Sequence, residues 1–197
     1  MKRIVLASTS PRRSALLGQI GIPFEVVAPD VDESRYSFEA DPAGTAERLA
    51  LDKARSAAGR IDAPGSLVLG ADTVVLFEGQ ILGKPRDADD ACAMLSRLTG
   101  RTHRVLTAFA LLEAGTNRAV TVHEWTTVYM RSFSADEIRA YVDTGEPLDK
   151  AGSYGAHALG AGLITRVEGC FYNVIGLPLA RLLESLRTFE ADAVVRN

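Results

Sequence analysis

The stretch Leu67 to Phe77 is apolar almost throughout, broken by a single carboxylate at Asp72. It is far shorter than the ~20 residues a membrane helix needs, and its valines and leucines do not alternate with polar residues. Such a run reads as a strand buried on both faces, and a sheet buried on both faces needs helices to cover it. The chain before it supplies that pattern. Ile4 to Ala7 is a short apolar run ended by Ser8-Thr9-Ser10-Pro11, a strand feeding a helix with Ser10 as its cap and Pro11 at its first position. Ala15, Leu16 and Ile20 give that helix an apolar face, Gly21 and Pro23 stop it, and Phe24 to Val27 is a second strand. Strand, helix, strand opens an α/β domain.

Further elements follow by periodicity. A helix over residues 43–60 puts Ala46, Leu49, Ala50, Lys53, Ala54 and Ala57 on one face. Glu78-Gly79-Gln80 turns the buried strand into a hairpin with Ile81 and Leu82. A helix over 87–98 precedes two long strands, 104–113 and 118–130, joined at Ala114-Gly115-Thr116-Asn117. Ser134-Ala135-Asp136-Glu137 is a capping box for another helix. Residues 146–162 read as a glycine-rich loop and 162–167 as a strand, and a last helix after Pro178 carries Leu179, Leu182, Leu183 and Leu186 on one side. At 197 residues, with no repeat or linker, the chain is expected to be one domain, residues 1–197.

Charge and cysteine content narrow the function. With 22 Lys plus Arg against 25 Asp plus Glu, the net charge is −3, which argues against nucleic acid or an anionic membrane as partner. A local basic cluster for a small anion remains compatible. Cys92 and Cys170 stand alone, so neither a zinc site nor a disulfide framework is indicated, and a cytoplasmic location is expected.

Polar residues in apolar settings carry the chemistry. Ser8 to Arg13 joins a strand end, hydroxyls, a helix N-terminus and two arginines, an arrangement suited to binding an anion. The same residues also suit an ordinary capped helix with solvent-facing arginines. Lys53 lies on an apolar stripe, where it either meets a partner or snorkels to solvent, and a methionine there would suit the stripe. Asp72 inside a buried strand must be paired, metal-bound or protonated. Only 4 of the 22 basic residues are Lys, and three of those, Lys53, Lys84 and Lys150, fall in these polar segments. Asp87, Asp89 and Asp90 sit in a helix first turn, where carboxylates belong without any metal. Gly79 to Pro85 imitates a P-loop but is one residue short and lacks the hydroxyl after its lysine.

Five segments in order, Leu6-Ala7-Ser8-Thr9-Ser10-Pro11-Arg12-Arg13, Val31-Asp32-Glu33, Gly70-Ala71-Asp72-Thr73-Val74-Val75, Gly83-Lys84-Pro85 and Asp149-Lys150-Ala151-Gly152-Ser153-Tyr154-Gly155, resemble the Maf family of nucleoside triphosphate pyrophosphatases. The resemblance implies an elongated, twisted mixed sheet flanked by helices around a central cleft, similar to the ITP pyrophosphatases. It implies hydrolysis of a nucleoside triphosphate to the monophosphate and pyrophosphate with Mg²⁺ or Mn²⁺. Catalytic roles then fall on Asp72, Glu33, Lys53 and Lys84, with Glu33 and Asp72 as the metal carboxylates. Substrate contacts fall on Ser8, Arg12, Arg13, Thr73, Lys150 and His157. Glu146 to Gly155 is similar to the branch acting on dTTP and UTP, which continues Ile-Gln-Gly where this chain has Ala156-His157-Ala158. A homodimer is compatible with this reading. The alternative from another class is a nucleotide-binding regulator of septum formation without turnover, which would not need Glu33 and Asp72.

Overall fold

The computed structural model describes residues 2–195. Strand β1 (Ile4–Ala7) pairs in parallel with β2 (Phe24–Val26), Ile4 opposite Phe24, and with β3 (Leu67–Phe77), Ile4 opposite Leu67 and Ala7 opposite Gly70. Strand β4 (Gln80–Leu82) folds back antiparallel on β3. Strands β5 (Thr102–Glu113), β6 (Ala119–Met130) and β7 (Ile164–Glu168) complete a seven-stranded mixed sheet in the order β2-β1-β3-β5-β6-β7, with β4 beside β3. The helices are α1 (Pro11–Gln19), α2 (Pro42–Ala58), α3 (Ala88–Leu98), α4 (Ala135–Asp143), α5 (Phe171–Ile175) and α6 (Leu179–Val195). The protein is thus α/β, as the unalternating β3 run requires. None of the helices is long and apolar enough to cross a membrane among the described residues.

The chain forms two compact units. The first comprises Met1–Asp72, Thr107–Glu124 and Gly176–Asn197, and the second Thr73–Leu106 and Trp125–Ile175. In the first, Leu6, Leu17, Leu49, Leu67, Leu69, Leu177 and Leu182 are fully buried. Helix α2 starts where Asp41 accepts from the Gly44 N–H at 2.9 Å and Pro42 follows, and it buries Leu49, Ala50, Lys53, Ala54 and Ala57. In the second, Val75, Phe77, Leu95, Leu98, Val105, Val128 and Ile138 share one core. There α4 opens with the complete Ser134–Glu137 capping box.

Several local expectations need correction. Ser10 occupies the cap position of α1, but its side chain makes no capping bond; its N–H donates to the Ser8 hydroxyl oxygen at 3.2 Å. The buried face of α1 is Leu16 and Leu17; Ala15 is exposed and Ile20 lies beyond the last turn. In α6, Leu179, Leu182 and Leu186 are buried, whereas Leu183, four residues after Leu179 and so at the edge of the same face, is exposed. Residues 146–162 are more ordered than a loop, with three short 3-10 turns at Glu146–Asp149, Ala151–Ser153 and Leu159–Leu163. The five-residue α5 escaped notice, being too short to show a helical period.

Candidate active site

The first unit brings Ser8, Arg13, Glu33, Lys53 and Asp72 together. Their meeting begins with Gly70. A Cβ there would lie 2.0 Å from the Ala50 carbonyl oxygen and 2.8 Å from the Ala54 nitrogen, so only glycine lets α2 lie this close to β3. One residue before Ala54, Lys53 reaches Asp72, two residues along β3. The Lys53 Nζ donates to Asp72 Oδ1 at 2.8 Å and pairs with Glu33 Oε1, also at 2.8 Å. Lys53 and Asp72 are 6% and 7% exposed, so Lys53 does not snorkel: the buried ammonium has found its partners.

Glu33 is largely exposed and sits on a short 3-10 turn, Glu33–Arg35. That turn is capped by Asp32, which accepts from the Ser34 N–H at 3.1 Å and hydroxyl at 2.6 Å. Tyr36, next in the chain, donates its hydroxyl to Asp52 Oδ2 at 2.7 Å and so ties the turn to α2 beside Lys53. Two carboxylates from separate segments are thereby gathered on one ammonium.

At the β1–α1 junction, Ser8 is buried and its hydroxyl oxygen accepts from Arg13 Nη1 at 3.1 Å. Arg13 Nε donates to the Gly176 carbonyl at 3.0 Å, which fixes the guanidinium. Burial draws the Arg13 guanidinium below its ordinary value; the charge of Asp72 opposes this, Arg12 adds to it, and Glu33 opposes it. These couplings put Arg13 in the electrostatic neighbourhood of both carboxylates, with Arg12 close to Arg13.

The second unit holds Thr73, Lys84, Lys150 and His157. Thr73 continues β3 directly after Asp72 and is half-buried. Lys84 is exposed, and the preceding Gly83 carbonyl accepts from the Gly152 N–H at 3.0 Å, which joins the Lys84 segment to the one carrying Lys150. Gly152 has φ +70°, and a Cβ there would press on the Val75 methyls at 3.1 Å. Lys150 is 9% exposed; its ammonium donates to Asp149 Oδ1 at 2.6 Å and to the Glu146 carbonyl. His157 is exposed.

Glu33 and Asp72 suit a hard cation. Among the described residues no cluster of three or more His, Cys, Asp or Glu could hold a metal. Mg²⁺, however, commonly takes only one or two carboxylates and completes its shell with waters and substrate phosphates. Two carboxylates held near one another by Lys53 match that donor set.

Sequence reasoning missed the residues that act through position. In the sequence Gly70 stands only within a motif, and no pattern singles out Tyr36, Asp52 or Tyr141. Tyr141 donates to Glu146 Oε1 at 2.9 Å, a contact that no local pattern signals.

A mixed α/β sheet with buried Lys–carboxylate pairing beside a strand-to-helix arginine cluster delimits the class, and the model of the Maf-like protein family matches residues 3–189. The chain belongs to this family. Among its relatives, the dTTP/UTP pyrophosphatase of Symbiobacterium thermophilum is 49% identical over 96% of this chain and 95% of its own length. Those of Moorella thermoacetica and Acetivibrio thermocellus are 48% and 49% identical, covering 98% and 96% of this chain and 97% and 96% of their own lengths.

Proposed function

We propose that this chain hydrolyses nucleoside triphosphates to the monophosphate and pyrophosphate, with dTTP and UTP as its preferred substrates. The observation that carries the reading is the Glu33–Lys53–Asp72 grouping, set beside Arg12 and Arg13. The relatives' activity on dTTP and UTP supports the choice of base.

A triphosphate carries about four negative charges, which preorganised cations stabilise strongly in a partly dry site. Arg12 and Arg13 supply fork-shaped donors for phosphate oxygens at the positive end of α1. Lys84, exposed on the second unit, adds a compact ammonium. Asp72 orients a water through Oδ2 while Lys53 holds Oδ1, and the carboxylate accepts the water's proton as the oxygen attacks the α-phosphorus. The bond from the α-phosphorus to the bridging oxygen breaks, and pyrophosphate leaves with that electron pair. Glu33 and Asp72 would hold Mg²⁺ or Mn²⁺, which when bound neutralises phosphate charge and polarises the α-phosphoryl group. The two free cysteines suit a reducing cytoplasm, where such substrates occur.

His157 bears on base choice. A glutamine presents an acceptor and a donor side by side to a uracil or thymine edge, whereas a neutral imidazole carries them on different edges. Losing such a bidentate pair costs ~1–3 kcal/mol of discrimination, roughly 5- to 150-fold. The test is a panel of dTTP, UTP, CTP, ATP and GTP with Mg²⁺, following pyrophosphate and orthophosphate separately. Pyrophosphate release fastest from dTTP and UTP is expected, with a higher UTP-over-CTP ratio of kcat/KM in His157→Gln. Orthophosphate as the first product would overturn the reaction assignment, and an unchanged ratio would remove His157 from base reading.

A further inference from the structure

The segment 155–160 is clamped at both ends by side chains outside the set assigned to substrate. Glu146 Oε1 accepts from the Tyr141 hydroxyl at 2.9 Å and from the Gly160 N–H at 3.0 Å, and Oε2 accepts from the Leu159 N–H at 3.0 Å. The Tyr141 hydroxyl oxygen accepts in turn from the Gly155 N–H at 3.2 Å. Leu159 and Gly160 open a short 3-10 turn, where leading N–H groups lack acceptors within the turn, and Glu146 provides them. One carboxylate and one phenol therefore tie down residues 155, 159 and 160, and Ala156, His157 and Ala158 form the span between.

The tie is tight. A Cβ on Gly160 would stand 2.4 Å from the Gly155 carbonyl and 2.6 Å from the Tyr141 hydroxyl, and one on Gly155 would meet the Lys150 side chain at 2.9 Å. Within the span, Ala158 is held at φ +126° and ψ −139°, a conformation that residues with a Cβ rarely adopt and that persists only where surroundings enforce it. Burial raises the Glu146 carboxyl, but bonds from Gly160, Tyr141 and Leu159 and the Lys150 charge outweigh it and hold it below its ordinary value. Burial raises the Tyr141 phenol, so at neutral pH it keeps the proton it donates.

We infer that Glu146 and Tyr141 are positioning residues for base recognition: their clamp on residues 155, 159 and 160 imposes the strained backbone that sets the direction of His157. The inference rests on the proposed pyrimidine triphosphate activity. It places specificity partly in a carboxylate that touches only backbone and phenol, and it gives the strained Ala158 beside the exposed histidine a role.

The experiment combines steady-state kinetics on UTP with amide hydrogen exchange for the wild type, Tyr141→Phe, Glu146→Gln and Glu146→Gln/Ala158→Gly. Tyr141→Phe deletes one oxygen and keeps the packing, so it remains decisive should Glu146→Gln fold poorly. Both single variants are expected to raise KM for UTP at least tenfold with kcat within threefold, and to speed exchange at residues 155, 159 and 160. Glycine adopts the Ala158 conformation without steric cost, so the double variant is expected to recover part of the lost KM. A merely structural Glu146 would lower the melting temperature and leave KM alone. Unchanged KM in variants of an active wild type overturns the clamp, as does faster exchange with no kinetic effect. A wild type that releases no pyrophosphate contradicts the reaction itself, a different result.

Discussion

Lys53 sits between two carboxylates, and what it does follows from what its removal leaves behind. The apolar stripe of α2 alone suggests that methionine should be tolerated there. The partners reverse that expectation, because Lys53→Met strands Asp72, 7% exposed, without the cation bonded to its Oδ1. Breaking a buried pair from one side costs about 3 kcal/mol or more, since the remaining charge stays desolvated. We expect Lys53→Met to lose about that much in urea denaturation, and Lys53→Met/Asp72→Val to regain a good part of it. Equal stability of the single and double variants would mean that Asp72 is solvated independently of Lys53. Ser8 illustrates the same point: its hydroxyl serves the Arg13 guanidinium and the Ser10 N–H rather than the helix end.

Between elements, the seat of α2 on β3 decides whether the site exists. Gly70→Ala would drive a methyl into the Ala50 carbonyl, and backbone cannot swing aside as a flexible side chain does. Overpacking of this kind costs about 1–3 kcal/mol. Any outward shift of α2 also takes Lys53 from Asp72, so turnover should fall far more than the melting temperature; intact kcat in a folded variant would contradict this. A second contact joins β5 to the Lys150-bearing segment, where His103 Nε2 meets the Tyr154 hydroxyl at 2.7 Å. Burial lowers the His103 imidazole from 6.5 to about 4. Between those values the unfolded chain binds a proton that the folded one refuses. This contribution is therefore complete above about pH 6.5 and is lost as the pH falls toward 4, up to about 3 kcal/mol. His103→Gln should flatten the stability profile over that range, and a slope equal to wild type would refute the assignment. The longer elements were legible, β3 from an unbroken apolar run and helices such as α2 from apolar residues at helical period, while the five-residue α5 was too short to show one. The seats between elements were not, since Gly70 and His103 act on residues distant in sequence.

At the scale of the molecule, a chain of net charge −3 keeps Arg12, Arg13 and Lys53 with two carboxylates in its first unit, and Lys84 and Lys150 in its second. Of these groups only Asp72 lies on a strand, β3; Arg12 and Arg13 are on α1, Lys53 on α2 and Glu33 on a short 3-10 turn. The chemistry of the first unit was visible in the sequence because a lysine and an aspartate on apolar elements demand a partner. Glu146 was not, because it satisfies N–H groups that every residue carries. The central claim is that Asp72 drives water onto the α-phosphorus while the cations bind the triphosphate. Asp72→Asn keeps the side chain's shape but has little capacity to take a proton or hold a cation. The decisive measurement is UTP affinity by calorimetry beside pyrophosphate release for that variant. Affinity within about tenfold of wild type and turnover below about a hundredth are expected; a variant retaining more than about a tenth of the wild-type rate would contradict this role for Asp72.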